Sequence, residues 1–222
     1  MHRFLTVLTL LTAAASAQEV NPDKRLEHAT EALRVFFSPD SNVPKSLAGK
    51  AYCMAVVPGL MKGAFLFGGK YGRGFASCRK ANGTWSGPAA IAIEGGSFGL
   101  QAGGSSTDLI MIVMNPTGMN RLLGDKFTLG GEAAVAAGPV GGEASANTDV
   151  LMTAEMISYS RVKGLFAGLS LEGATLRPDG GENKKLYGHE ISNREILMGK
   201  VVPPRGARGF VALLNKRARK GK

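Results

Sequence analysis

Apolar and polar positions change rhythm twice along this chain. Leu26, Ala29, Leu33, Phe36 and Phe37 recur at helical spacing, with Lys24, Arg25, Glu27, Glu31 and Arg34 elsewhere around the wheel. Asn21 then Pro22 reads as an N-cap followed by a first-turn proline, and Ser38-Pro39-Asp40 ends the helix. Its polar face mixes both signs. An interfacial helix concentrates Lys and Arg there, so packing on the domain is favoured over lying on a bilayer.

From Ala51 the rhythm shortens. Apolar runs at Ala51–Val57, Ala64–Phe67, Gly74–Cys78, Ala89–Ile93, Phe98–Ala102, Leu109–Met114 and Phe127–Ala137 alternate with glycine-bearing turns. This spacing predicts an antiparallel sheet or barrel. Asn82-Gly83 suits a tight hairpin turn. Leu109–Met114 is continuously apolar, so both of its faces should be covered. Asn115-Pro116 starts a short helix with Met119, Leu122 and Leu123 on one side. The alanines of Glu132–Ala137 favour helix, but the bracketing glycines and Pro139 leave too few residues for one, and strand is expected. Met152–Arg161 and Leu165–Ala174 read as two more strands joined near Lys163-Gly164. Glu182–Tyr187, Asn193–Met198 and Arg208–Arg219 then return to helical spacing. The fold class expected is α+β: a curved, barrel-like antiparallel β-sheet with an N-terminal helix and C-terminal helices.

Composition sharpens this picture in one respect. Glycine, 31 of 222 residues, is about twice its usual share, which fits many turns and closely approaching strands. The first residues stand apart: Arg3, the apolar Phe4–Leu11 and the small-x-small Ala15-Ser16-Ala17 form a signal-peptide pattern. Its apolar stretch is shorter than the roughly 20 residues a spanning helix needs. The expected organisation is a signal peptide over 1–17, one domain over 18–199 and a basic tail over 200–222. Export to the periplasm, cell envelope or extracellular space follows from it.

Charge is concentrated at the end. Lys200–Lys222 holds eight basic residues and no acidic ones, so the body is nearly neutral. Lys216, Arg217, Arg219 and Lys220 are candidates for steering the chain to an acidic surface. Cys53 and Cys78, an even pair in an exported chain, are a disulfide candidate.

Chemistry is poorly represented. Gly68-Gly69-Lys70-Tyr71-Gly72-Arg73-Gly74 meets neither phosphate-loop spacing, and reads as a glycine-rich hairpin carrying two cations. No serine sits in a nucleophile elbow, and His28 and His189 lie in separate flanking regions. Asp108, Glu132, Glu143, Asp149, Glu155 and Glu172 read as strand-end or solvated carboxylates. Two cysteines alone make no zinc site. No catalytic residue, metal site or cofactor is expected. Nucleic acid is not an expected partner, because no aromatic residue follows Phe210 to stack on bases. A transmembrane barrel would carry aromatic girdles, and Trp85 is the single tryptophan.

Several blocks resemble the SYLF family, in the right order from about Ala29 to Tyr187. They are Phe65–Gly74, Trp85–Ala89, Gly95–Gly103, Thr107–Leu109 with Met114-Asn115, Ala136–Gly141 and Ser158–Gly168. The resemblance is to an exported, bacterial-type member related to the yeast actin-patch proteins. It implies a non-enzymatic lipid-binding module for anionic phospholipids or phosphoinositide-like headgroups. Actin is not an expected partner of an exported chain. Lys62, Lys70, Arg73, Arg161 and Lys163 fall in or beside these blocks and are candidate phosphate contacts on their charge. The alternative is a structural envelope protein that holds an anionic polymer or a protein partner through its tail.

Overall fold

The computed structural model describes residues 21–65, 67–97, 103–141, 153–162 and 164–219. The signal-peptide pattern, Phe98–Ala102, Glu143, Asp149, Lys163 and Lys220 lie outside the described residues.

One long hairpin makes the centre of the sheet, β1 (Cys53–Phe65) with β2 (Phe67–Cys78), and two further long strands flank it, β3 (Ala89–Ser97) beside β2 and β4 (Gly103–Val113) beside β1. Short strands flank them: β5 (Phe127–Thr128), β6 (Val135–Ala137), β7 (Met156–Val162), β8 (Leu165–Gly168) and β9 (Thr175–Pro178). The hydrogen-bonded order is β5-β9-β3-β2-β1-β4-β7-β6, with β8 sharing the outer edge of β7. All described pairings between these strands are antiparallel except β6 with β7.

Chain connectivity forces this sheet to curl. The strands β5 and β6 stand at opposite ends of the order, yet only Leu129–Ala134 joins them. The seven steps from Thr128 to Val135 reach at most about 25 Å. A flat sheet of eight strands would separate its edges by about 34 Å. The antiparallel sheet is therefore a strongly curled half-barrel.

Both faces are covered. Alternate residues of β1 and β4 divide between two apolar clusters: Met54, Val56, Ile110 and Ile112 in one, Cys53, Ala55, Val57, Leu109 and Met111 in the other. The first cluster packs under α1 (Pro22–Phe36), whose Leu26, Ala29, Leu33 and Phe36 are buried. The Asn21 side chain caps α1 by accepting from Asp23 N at 2.9 Å. The second cluster meets Leu122 of α3 (Pro116–Leu122) and Ile196 and Leu197 of α5 (Asn193–Met198). Among the described residues the other α-helices are α2 (Lys45–Lys50), α4 (Gly180–Tyr187) and α6 (Arg208–Arg217).

Three segments differ from the sequence reading. Phe127–Ala137 is not one strand: Gly130, at φ +82°, turns the chain and sends its two ends to opposite edges of the sheet. Gly68–Gly74 is not a turn but the interior of β2, in register with β1 and β3. Residues 208–219 are not a detached tail. Phe210, Leu214 and Ala218 are buried, and Trp85 Nε1 donates to Ala218 O at 3.1 Å.

Cys53 and Cys78 face each other in register across β1 and β2, and are joined as a disulfide. The bridge closes a 25-residue separation inside the second cluster. Its removal in a Cys53→Ala/Cys78→Ala variant is expected to cost about 2–4 kcal/mol in urea unfolding. A loss below about 1 kcal/mol would show that hairpin packing alone sets this register.

Candidate functional site

The candidate cations divide between the two faces of the sheet, because residues an odd number apart on a strand point oppositely. Lys70 and Arg73 are three apart on β2. Lys62 and Lys70 stand directly opposite each other, on the face that continues Leu60 and Val57. Arg73 and Arg161 stand on the face covered by α1.

The two arginines are engaged internally. Arg73 Nε lies 2.6 Å from Asp179 Oδ2, and Nη2 lies 3.2 Å from Glu182 Oε2. Glu182 also pairs with Arg25 of α1, and its side chain is 1% exposed. Asp179 doubles as the N-cap of α4, accepting from Glu182 N at 3.1 Å. The network ties β2, α1 and α4 together. Arg161 on β7 lies 2.6 Å from Asp108 on β4, and Asp108 also accepts from Gly59 N at 3.0 Å. Arg25, His28, Glu31, Asp108 and Arg161 border a cavity of about 410 Å³. Its walls carry both signs of charge, so it offers a phosphate no net attraction. Arg73 and Arg161 are separated by β1 and β4, about 14 Å by strand spacing, and do not form one cluster.

The two lysines are arranged differently. Across four strands the register reads Gly95, Lys70, Lys62 and Ser105, a row of two ammoniums between small residues. Neither ammonium is paired with a carboxylate among the described residues. Burial first, and then the charge of Lys70, lowers the Lys62 pKa below its ordinary value. Like charges directly opposite on neighbouring strands repel. An anion between them would relieve that repulsion. On the reverse face Met61 and Tyr71 stand opposite each other, 64% and 47% exposed. This end of the β1–β2 hairpin therefore presents lysines on one side and solvent-exposed apolar side chains on the other.

Lys216, Arg217 and Arg219 are exposed on or just beyond α6, whose inner side is buried. Among the described residues no group of His, Cys, Asp and Glu could hold a metal ion. No described helix is long and apolar enough to cross a membrane.

A family model described as "Ysc84: Las17-binding protein actin regulator" matches residues 94–217, from β3 through α6. The chain belongs to this family, the SYLF family. An SH3 domain-containing protein of Schizosaccharomyces pombe is 36% identical over 179 residues, covering 79% of this chain and 41% of the relative. Protein YSC84 of Saccharomyces cerevisiae is 34% identical over 199 residues, 86% of this chain and 42% of its own. The SH3 domain-containing YSC84-like protein 1 of Rattus norvegicus is 34% identical over 178 residues, 80% of this chain and 52% of its own. This chain thus spans about half, or somewhat less, of the curated SYLF relatives it matches. The match through Arg217 takes in α6, so the C-terminal helix lies within the SYLF domain.

The sequence reading selected Lys62 and Lys70 on charge and missed their opposition. It also missed the carboxylate partners of Arg73, which lie over 100 residues away with no local pattern to announce them.

Proposed function

We propose that this SYLF domain binds the phosphates of anionic phospholipid at a membrane surface, with no chemistry of its own. The observation that carries the reading is the opposed, uncompensated pair Lys62 and Lys70 between Gly95 and Ser105. Small flanking residues leave room for a headgroup, and two adjacent ammoniums can share one phosphate. The exposed Met61 and Tyr71 supply apolar surface for the interfacial region of a bilayer. Lys216, Arg217 and Arg219 add attraction over a Debye length, about 8–10 Å at ordinary salt. In this reading the chain is exported, on the pattern of residues 1–17, and meets lipid in the cell envelope.

Lys70→Glu tests the proposal, because stability and binding should move in opposite directions. An opposite-charge cross-strand pair in place of a like-charge one should add about 0.2–1 kcal/mol to the fold. The same change should weaken flotation with phosphatidylserine-containing vesicles at least about tenfold. Binding by the parent should also fall as pH rises through the lowered Lys62 pKa, where the ammonium loses its proton. A Lys70→Glu protein that floats like the parent removes the lysine row from lipid recognition.

The family description favours a second reading, in which the target is a protein. That reading is supported if neutral and anionic vesicles bind the parent equally weakly while an acidic protein surface is retained.

A further inference from the structure

At the other end of the β1–β2 pair, about 30 Å from Lys62 by strand rise, lies a cavity of about 590 Å³. Tyr52, Met114, Met119 and Met198 supply its apolar wall. They come from four places: the lead into β1, the end of β4, α3 and the end of α5. Tyr52 is 41% exposed and Met198 51% exposed, so the wall opens to solvent. The volume falls in the range of small-molecule sites, roughly 300–1,000 Å³. Methionine walls adapt to flexible apolar ligands because the thioether side chain has several low-cost rotamers.

Among the described residues three cations border this cavity, Lys50, Arg79 and Lys80, and no aspartate or glutamate does. Arg79 is the informative one. Its Nε donates to Ala51 O at 3.1 Å, and Nη2 donates to Ala48 O at 3.2 Å and Gly49 O at 3.3 Å. Its guanidinium carbon sits 4.8 Å from the centre of the Trp85 ring. Nη1 is buried and makes no hydrogen bond among the described residues. All of these partners are neutral. A partly buried guanidinium without a counter-ion is an expensive arrangement that an anion would relieve.

We infer that this cavity is a binding site for a free single-chain anionic amphiphile, a fatty-acid-like molecule. Its acyl chain lies against Tyr52 and the three methionines, and its acidic head meets Lys50, Lys80 and the field of Arg79. A neutral apolar ligand would leave the three cations uncompensated, and a small anion would leave the apolar wall wet. The site is distinct from the Lys62–Lys70 row and does not depend on it.

Dodecanoate is the probe, titrated into the full chain below its micellar concentration. Calorimetry and the emission of Trp85, the sole tryptophan and in contact with Arg79, follow binding. One saturable site is expected, with dodecanol at least about tenfold weaker because it offers the cations no charge. Lys50→Glu/Lys80→Glu should weaken dodecanoate at least about tenfold and leave dodecanol unchanged. These two side chains are on the rim, and the thermal midpoint of the variant verifies its fold. Lys62→Ala/Lys70→Ala should keep full dodecanoate affinity, which separates this site from the headgroup row. The inference is overturned by the absence of saturable binding, by dodecanol binding as tightly as dodecanoate, or by unchanged affinity in the rim variant. Loss of affinity in the Lys62→Ala/Lys70→Ala variant overturns its independence. An acidic amphipathic peptide that outcompetes dodecanoate would make the cavity a protein groove instead.

Discussion

Replacing Arg73 with alanine should destabilise the protein by about 3–5 kcal/mol, measured by urea unfolding. The side chain is 19% exposed and meets Asp179 and Glu182, themselves 10% and 1% exposed. Removing the guanidinium leaves two buried carboxylates sharing what Arg25 can supply. The damage is larger than the loss of attraction, because desolvated charge is left behind. It also loosens the seat of α4, since Asp179 is both the partner of Arg73 and the cap of that helix. Lys70→Ala, three residues away on the opposite face, should stay within about 0.5 kcal/mol of the parent. The pair of variants separates a cation that holds the fold from one free to hold a ligand. If Arg73→Ala costs less than about 1 kcal/mol, the network is relaxed in solution, and Arg73 returns to the headgroup candidates.

Gly74→Ala should be comparably severe, at or above the upper end of the roughly 1–3 kcal/mol typical of overpacking. A Cβ at Gly74 would fall 2.0 Å from Val56 O and 2.7 Å from Val57 Cα. Both are backbone atoms of the neighbouring strand, so no rotamer change can make room. The crowding has a local cause. The register of β1 against β2 shifts between Val56 and Met61, and at the start of that shift the backbone of Val56 and Val57 lies against Gly74. Gly83→Ala is the control, because nothing lies within 4 Å of a Cβ there and only its φ of +82° is strained. Gly74→Ala should fall well below Gly83→Ala in thermal midpoint. Equal midpoints would mean that β1 yields at the shift.

These two positions show where reading the sequence succeeded and where it stopped. The high glycine content does mark close strand approach, as at Gly72 and Gly74 against β1. Yet the glycine-rich stretch around Lys70 and Arg73 reads as a hairpin tip, because local glycine density looks the same there as in a strand pressed by its neighbour. Arg73 was chosen as a phosphate contact on charge alone. Its carboxylates arrive from α4, and their distance along the chain hid them. Helix α1 was legible because capping, proline placement and apolar period are all local and agree. The C-terminal basic segment was legible as a helix, but its docking was not. Ala218 and Trp85 are 133 residues apart, so no local pattern announces their contact.

Local pattern thus determined the class: a capped N-terminal helix, a run of short strands, a strand at Leu109–Met114 covered on both faces, and helices at the end. The family blocks determined membership. Tertiary structure alone decided which edge each short strand joined, how far the sheet curls, and which cations remain unpaired. The reason is physical. Strand and helix period depend on neighbours a few residues away, and the sequence displays them directly. Register and ion pairing depend on groups brought together by chain closure. Lys62 meets Lys70 and Arg73 meets Glu182 only once β1, β2 and α4 are in place.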